Sequence, residues 1–247
     1  MTVYQLTDAL RFPPPDHAEP GGLLAVGGDL SPERLLLAYA QGIFPWYEDG
    51  LPILWHSPDP RMVLRPSQLR VSRSLRRAMR DAVFEVRLDC DFAAVIRGCA
   101  RVKRGDGEGT WITADMIDAY ERLFALGYAH SAEARLDGRL AGGLYGVSLG
   151  GCFFGESMFA IEPNASKVAF ATLTRRLEGW DFDLIDCQVY TENLARFGAK
   201  EWPRPKFLKS LERSLGKETR RGPWAFDEAL LSDVLSGTIT NARTAKR

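Results

Sequence analysis

The sequence predicts an α+β fold in which helices pack on a largely antiparallel sheet. Three strand-like segments, 129–136, 139–149 and 152–160, follow one another with only short turns at Asp137-Gly138 and Gly150-Gly151 between them. A helical pattern, a buried strand and a short helix come next along the chain. An antiparallel meander followed by helix, strand and helix indicates a mixed α+β arrangement.

The composition is that of a folded globular protein. The chain has 247 residues, of which 45% are hydrophobic and 26% are charged, and its formal net charge is zero. This length suits one large domain or two small ones. The first residues lack a basic segment followed by an apolar run, and no stretch of about 18 apolar residues occurs. We therefore expect a cytoplasmic protein that does not enter a membrane.

The cysteines and histidines do not form a recognisable metal or disulfide pattern. They are widely separated, with no C-x-x-C pair, at positions Cys90, Cys99, Cys152, Cys187, His17, His56 and His130. The spacing predicts reduced thiols and no bound metal.

The first helix is predicted to begin at Ser31. Ser31 is a suitable N-cap, Pro32 suits the first turn, and Glu33 places negative charge near the positive end of the helix dipole. Gly42 is expected to end this helix. The surrounding residues, 1–62, are rich in proline and glycine and form the first region of the chain.

Residues 61–80 contain seven arginines and no acidic residue. Four of them follow the i, i+3, i+4, i+7 spacing of one helical face, which we call the arginine stripe: Arg73, Arg76, Arg77 and Arg80. Guanidinium groups suit phosphate oxygens, so the stripe predicts contact with nucleic acid or phosphate. A solvated charged face is the alternative, although no glutamates are interleaved. Basic segments at 97–105 and 202–221 favour the nucleic-acid interpretation.

Three further helices follow from local signals. One is capped by Thr113 and ends at Gly127. The second begins at Asn164 or Ser166, and a short third helix ends at Gly198.

Polar residues interrupt two otherwise apolar strands. Strand alternation places Glu156 on one face with Phe154, and places Asp186 and Gln188 together on one face of the later strand. A buried carboxylate is costly unless donors or a cation meet it. These residues form either a satisfied structural network, with Asp186 holding a helix N-terminus for example, or the floor of a pocket that binds an amine and orients a carbonyl.

Nine segments between about residues 12 and 210 resemble, in the same order, the motifs of the leucyl/phenylalanyl-tRNA-protein transferase family. They are GLLAVGGDLSPERLLLAYAQGIFPWY, ILWHSPDPR, TWIT, HSAEA, AGGLYGV, FFGESMF, NASK, LIDCQV and FGAKEWPR. An ordered series of motifs is more specific than a single short one. The resemblance implies a small N-terminal α+β domain, 1–62, packed on an N-acetyltransferase-like (GNAT-like) mixed-sheet domain, 63–217. Residues 218–247 are then expected to form a partly disordered tail with a short helix around 226–235.

The same resemblance implies an aminoacyl-tRNA-protein aminoacyltransferase. Such an enzyme moves Leu or Phe, and in some cases Met, from aminoacyl-tRNA to the α-amino group of proteins that begin with Arg or Lys, marking them for N-degron proteolysis. No cofactor is expected, because the ester of aminoacyl-tRNA is already activated. The protein is also expected to be a monomer in the cytoplasm.

Residues of this chain that match the family's site follow from the resemblance. Asp186 and Gln188 match the catalytic strand. The substrate-binding positions are Trp46, Trp111, Tyr120, Leu144, Phe153, Glu156, Ser157 and Leu177. The arginine stripe is then expected to contact the tRNA. The chain departs from the family pattern at His56, Leu144, Leu177 and Asn193, which bears on the amino acid preference.

The expected reaction needs a neutral α-amine and a stabilised oxyanion. An α-amino group has a reference pKa of about 7.7 to 8.0, so an appreciable fraction of acceptor amino groups is uncharged at cytoplasmic pH. Asp186 is expected to orient this amine or to help its proton depart, acting through Gln188.

Two other classes of function stay open at this point. An acetyl-CoA-dependent N-acyltransferase would need a glycine-rich pyrophosphate loop, and MFAIEPNASK does not supply one. A non-catalytic tRNA-binding protein would explain the arginine stripe but not the polar residues at 156, 186 and 188. Within the enzyme class, a related transferase that adds leucine to N-terminal Asp or Glu is a further alternative.

Overall fold

The computed structural model describes residues 3–102 and 111–226. The strands in these ranges are β1 (Tyr4–Leu6), β2 (Leu23–Gly27), β3 (Phe44–Pro45), β4 (Leu54–His56), β5 (Arg61–Leu64), β6 (Glu85–Leu88), β7 (Ala129–Leu136), β8 (Arg139–Leu149), β9 (Cys152–Ala160), β10 (Leu184–Gln188) and β11 (Lys200–Trp202). The helices are α1 (Pro32–Ala40), α2 (Arg73–Arg80), α3 (Phe92–Ala100), α4 (Ala114–Ala125), α5 (Ala165–Gly179), α6 (Glu192–Arg196) and α7 (Arg204–Leu215).

The strands form two sheets. A four-stranded sheet has the order β1-β2-β4-β3, and a seven-stranded sheet has the order β11-β5-β10-β9-β8-β7-β6. Among the described strands of the large sheet, only β9 and β10 pair in parallel, and α5 connects them. The prediction of an α+β fold on a largely antiparallel sheet is confirmed. The predicted domain boundary between residues 62 and 63 falls inside β5, the first strand of the large sheet.

The central meander of β7, β8 and β9 has the turns that its sequence predicts. Asp137 and Gly138 both have positive φ, 50° and 76°, as a two-residue type I′ hairpin turn requires. At the next turn, a Cβ at position 150 would lie 2.3 Å from the carbonyl oxygen of Ser214, so Gly150 is needed for close packing against the end of α7.

The side-chain caps predicted at Ser31 and Thr113 are both formed. The Ser31 hydroxyl accepts a hydrogen bond from the amide of Arg34, and Thr113 accepts one from Met116. Helix α5 begins after Asn164, as predicted, but Asn164 has a left-handed backbone and its side chain makes no capping bond. Helix α2 buries Leu75 and Met79 and exposes the arginine stripe, so the four arginines share one helical face as predicted.

The large sheet has a hydrophobic core on each face. On one face, N-terminal residues such as Tyr39 and Trp55 share a continuous core with Phe92, Tyr120 and Phe154. The other core lies under α2 and α5 and includes their buried residues Leu75, Met79, Phe170 and Leu177. The small sheet and α1 are therefore packed directly against one face of the large sheet.

Residues 218–226 fold back onto the protein after α7. The Trp224 indole is 3% exposed and stacks on the His130 imidazole, with ring centroids 3.6 Å apart and planes inclined by 6°. The Trp224 amide also donates to Oδ2 of Asp89 over 2.6 Å. This part of the predicted tail is therefore anchored in the core, while the predicted helix around 226–235 lies outside the described residues. In the part of the chain that the structure describes, no helix is long and apolar enough to span a membrane.

Candidate active site

A β-bulge in β9 sets the position of Glu156. Tyr145 of β8 pairs with Ser157, and the next residue, Gly146, pairs with Gly155. Glu156 is thus the extra residue of the bulge and has no partner on β8. Bulges redirect side chains, and this one explains how a carboxylate leaves the regular alternation of an apolar strand.

A second bulge lies in the neighbouring strand β10. Asp186 pairs with Val63 and Gln188 with Met62 of β5, so Cys187 is skipped. Gln188 has a left-handed backbone, with φ of 61°. The two bulges are adjacent in the sheet because β9 and β10 are neighbours.

The two bulges open onto a cavity of about 360 Å³. Residues from the N-terminal region and from the large sheet both line it, including Phe44, Pro45, Trp46, Trp111, Leu144, Met158, Phe170, Ile185, Cys187 and Leu194. The lining is mainly apolar, and Glu156 and Gln188 form a polar floor within it. Such a cavity suits a ligand with an apolar side chain and one polar centre.

Glu156 is held by three donors. Oε1 accepts from the Tyr39 hydroxyl and from Nε2 of Gln188, each over 2.8 Å, and Oε2 accepts from the Tyr120 hydroxyl over 3.1 Å. The two tyrosine hydroxyls also contact each other. Glu156 is only 7% exposed, so these donors replace the water that its carboxyl group would otherwise bind.

The surroundings of Glu156 place its proton equilibrium near neutrality. Burial raises the pKa of Glu156 to about 7, and the hydrogen bonds from Tyr39, Tyr120 and Gln188 limit that rise because they favour the ionised form. Burial, followed by the charge of Glu156, raises the pKa values of Tyr39 and Tyr120 well above the ordinary tyrosine value. Both tyrosines therefore keep their protons and act as donors.

Asp186 lies behind the cavity wall. Its carboxylate is fully buried and accepts two hydrogen bonds from Arg61, from Nε to Oδ1 over 2.8 Å and from Nη2 to Oδ2 over 2.6 Å. Oδ1 also accepts from the backbone amide of Gln188 over 2.9 Å. Asp186 is thus part of a satisfied hydrogen-bond network, which is one of the two predicted alternatives. Its partners in this network are Arg61 and Gln188, and not a helix N-terminus as the prediction suggested.

The structure separates the residues predicted for the site into two groups. Those on the cavity wall are Trp46, Trp111, Leu144, Glu156, Ser157 and Gln188. Tyr120 reaches Glu156 through its hydroxyl from the core side. Strand alternation predicted that Asp186 and Gln188 would face the same cavity. This expectation is corrected, because the bulge between them leaves Gln188 on the cavity wall and Asp186 behind it.

Phe153 and Leu177 lie away from the cavity. Phe153 points to the opposite face of β9, where its ring centroid is 5.9 Å from that of Trp224. Leu177 is fully buried on α5 in the same core. Both side chains belong to the core that also contains the cavity residues Leu144 and Phe170, but neither of them is on the cavity wall. Their contact with substrate therefore stays a prediction.

Two residues with central contacts were not predicted. Tyr39 is on the buried side of α1 and Arg61 begins an apolar strand, RMVL. A lone arginine in such a strand was the available signal for a buried ion pair. Three of the departures from the family pattern lie at or beside the cavity wall. Leu144 is on the wall, His56 lies beside Trp46 with ring centroids 5.7 Å apart, and Asn193 donates to Sδ of Met158 over 3.7 Å. Burial lowers the pKa of His56 to about 4, so this ring is neutral.

The arginine stripe is exposed on α2. Arg77 and Arg80 both approach the carboxylate of Asp81, at 3.3 and 3.5 Å, and their side chains are 77% and 68% exposed. Arg175 of α5 lies close by: burial lowers its pKa, and the positive charge of Arg76 lowers it further. The stripe is thus a basic surface whose ligand stays a prediction.

The described residues contain no group of three or more His, Cys, Asp or Glu side chains placed to hold a metal ion. The chemistry available at the cavity is that of a carboxyl group, two phenols and an amide, in an apolar enclosure.

The family model described as leucyl/phenylalanyl-tRNA protein transferase matches residues 63–212, and the model of that family's N-terminal domain matches residues 28–59.

Two similar proteins cover nearly all of the chain. One, from Myxococcus xanthus (strain DK1622), is 59% identical over 226 residues, which is 91% of this chain and 97% of that protein. Another, from Solidesulfovibrio magneticus (strain ATCC 700980 / DSM 13731 / RS-1), is 57% identical over 247 residues, which is all of both chains. Both are named leucyl/phenylalanyl-tRNA-protein transferase. Among solved structures, a GCN5-related N-acetyltransferase from Kribbella flavida has a TM-score of 0.38 and 11% identity, covering 69% of this chain and 60% of that one.

Proposed function

The chain belongs to the leucyl/phenylalanyl-tRNA-protein transferase family, and we propose how its cavity performs the transfer of an aminoacyl group from tRNA to a protein. The donor is a leucyl or phenylalanyl ester of tRNA, and the acceptor is the α-amino group of a protein that begins with Arg or Lys. The product carries a new peptide bond and is marked for N-degron proteolysis. The observation that carries this proposal is the polar floor of Glu156 and Gln188 in an otherwise apolar cavity.

The apolar wall holds the side chain of the aminoacyl group. Leu144, Phe170 and Ile185 provide a surface without charge, and the cavity of about 360 Å³ accommodates a branched aliphatic or an aromatic side chain. An apolar pocket discriminates by only about 1 to 3 kcal/mol per methylene, so Leu, Phe and Met esters are all substrates to different degrees.

The polar floor orients the reacting end of the same group. Glu156 receives the amino group of the aminoacyl moiety, since an ammonium is the one polar cation that such a substrate brings to the cavity. Tyr39 and Tyr120 hold the carboxylate in place from the other side. The ester carbonyl is then directed away from the apolar wall, toward the incoming amine.

The chemical step forms one bond and breaks another. The neutral amine nitrogen of the acceptor bonds to the ester carbonyl carbon, and the bond between that carbon and the ribose oxygen of the tRNA breaks. The amine loses one proton, and the departing ribose oxygen gains one and becomes a hydroxyl group. Gln188 orients the amine, and Asp186 acts through Gln188, because its own oxygens are occupied by Arg61 and by the Gln188 amide.

The arginine stripe binds the phosphates near the acceptor end of the tRNA. Arg73 and Arg76 are exposed, and the nearby Arg175 adds positive charge. A monomer in the cytoplasm meets the needs of this reaction, because both substrates are soluble macromolecules.

A transfer assay tests this function. Purified protein is mixed with tRNA charged with radiolabelled Leu, Phe or Met and a reporter protein that begins with Arg, and protein-bound label is counted after RNase treatment. We expect label from Leu and Phe, and none when the reporter begins with Asp or has an acetylated N-terminus. Transfer to the Asp reporter would indicate the acidic-acceptor class, and tRNA binding without any label would indicate an RNA-binding protein. Near-normal turnover in both Asp186→Ala and Gln188→Ala would contradict the roles given to these residues.

A further inference from the structure

Arg61 is a buried arginine whose donors are directed at two different parts of the site. Its side chain is 1% exposed. Nε and Nη2 grip the two oxygens of Asp186, at 2.8 and 2.6 Å, and Nη1 donates to the carbonyl oxygen of Gly42 over 3.1 Å. Arg61 does not line the cavity, whereas Phe44, whose ring is in contact with its guanidinium, does.

The surroundings of this guanidinium require an arginine. Its carbon lies 4.7 Å from the ring centroid of Phe44 and 4.8 Å from that of Phe207. The planar group is thus in contact with both rings while its edge makes three hydrogen bonds. A lysine ammonium has no flat face and cannot form the parallel pair of bonds to one carboxylate.

Both partners of Arg61 support donors of the Glu156 carboxylate. Asp186 accepts from the backbone amide of Gln188, whose left-handed backbone aims its side-chain amide at Glu156. Gly42 lies two residues beyond the end of α1, the helix that carries Tyr39 to Glu156. Arg61 therefore joins the two elements from which Gln188 and Tyr39 reach the same carboxylate.

We propose that Arg61 is a positioning residue for aminoacyl transfer, which fixes Asp186 and thereby the Gln188 amide relative to Glu156. This inference rests on the proposed function. Because Arg61 has no access to the substrate, it acts on the chemical step through the orientation of Gln188 and leaves the walls that bind the aminoacyl group unchanged.

Arg61→Lys is the variant that tests this role, and Arg204→Lys is its matched control. Arg204 is also a buried arginine, 8% exposed, and its Nη1 donates to the carbonyl oxygen of Ser57 over 2.6 Å, but its hydrogen bonds do not include Asp186. For each variant, kcat and KM for aminoacyl-tRNA are measured per folded molecule, and Tm is recorded. We expect Arg61→Lys to lower kcat about 10- to 100-fold, the cost of a small misplacement of reacting groups, with KM within about threefold of wild type. Arg204→Lys is expected to lower Tm while kcat stays within about twofold.

A second variant covers the case in which Arg61→Lys does not fold. Asp186→Asn weakens the same ion pair from the carboxylate side, and we expect it to lower kcat by a similar factor. Where both single variants fold, the double variant should have a kcat only slightly below that of either single variant.

Four results would overturn the positioning role: a normal kcat in Asp186→Asn, a kcat for Arg61→Lys within twofold of wild type, a kcat loss no larger than that of Arg204→Lys, or a loss confined to KM. If the wild-type protein itself transfers no label, the proposed function fails, and this inference fails with it.

Discussion

The side-chain amide of Gln188 donates to Oε1 of Glu156 over 2.8 Å, which joins two polar groups from neighbouring strands at the floor of an apolar cavity. Each residue lies at a β-bulge, and the bulges are adjacent because β9 and β10 pair in parallel. The hydrogen bond therefore depends on two local irregularities that occur side by side.

Removing the Gln188 amide should impair transfer more than binding. Gln188→Ala takes away one donor to Glu156 and the group that orients the amine, and we expect kcat/KM to fall about 100-fold, as for other polar donors removed from enclosed sites. Asn193→Ala, at another polar position on the cavity wall, serves as the control and should change kcat/KM only about threefold. Equal effects of the two variants in the transfer assay would show that the Gln188 amide has no special role.

The buried carboxyl of Glu156 should make stability depend on pH. Its pKa in the folded protein is about 7, against an ordinary value of 4.5. Between these values the folded state keeps a proton that the unfolded chain has lost, so this contribution to stability is present at low pH and is lost as the pH rises to about 7. The difference corresponds to about 3 kcal/mol.

Glu156→Gln isolates this contribution, because the amide cannot ionise and all other groups are shared with the wild type. The free energy of unfolding is measured for both proteins by urea denaturation across the pH range. From pH 4.5 to pH 7, the free energy of unfolding of the variant should rise by about 3 kcal/mol relative to that of the wild type. Parallel pH profiles would mean that Glu156 titrates normally.

The arginine stripe should contribute to tRNA affinity in a salt-dependent way. Replacing Arg73 and Arg76 together by Ala removes two exposed cations, so the slope of log affinity against log salt should decrease by about 0.7 to 0.9 for each phosphate that is no longer neutralised. Arg139→Ala, an exposed arginine at the start of β8, is the control and should leave the slope unchanged. The measurement is filter binding of tRNA at several salt concentrations, and an unchanged slope in the double variant would exclude the stripe from the tRNA interface.

Trp224 should stabilise the fold without taking part in transfer. Its indole is 3% exposed and packs on His130, Trp180 and Phe182, so Trp224→Ala should cost about 3 to 5 kcal/mol. Ile161→Ala, at a side chain that is 69% exposed, should change stability by less than about 0.5 kcal/mol. Thermal unfolding measures both. Below the Tm of the variant, kcat should equal that of the wild type, since Trp224 does not line the cavity.

Local signals were sufficient to predict most helices and the central meander. Ser31 and Thr113 cap helices by bonds to residues three positions ahead, and the turn at Asp137-Gly138 depends on two residues with positive φ. Such features depend on a few neighbouring residues, so the sequence alone contains the information.

The bulges could not be predicted in this way. Alternation gives the faces of a regular strand, but an extra residue is defined only by the register of the partner strand. The prediction therefore identified Asp186 and Gln188 as important polar residues and placed them on one face, whereas the bulge at Cys187 separates them.

Long-range partners were also beyond reach. Arg61 and Asp186 are 125 residues apart in the chain, and Tyr39 and Glu156 are 117 apart. One sequence carries no measure of distance between such positions. For the same reason the sequence could not show that Leu177 packs in the core and not on the cavity wall.

The origin of the Glu156 donors has a consequence for protein synthesis. Tyr39 is translated 117 residues before Glu156, and Gln188 is translated 32 residues after it. The three groups meet only once translation has passed position 188. A ribosome that stops earlier releases a fragment that lacks Gln188, and such a fragment cannot assemble the centre that would modify other cellular proteins.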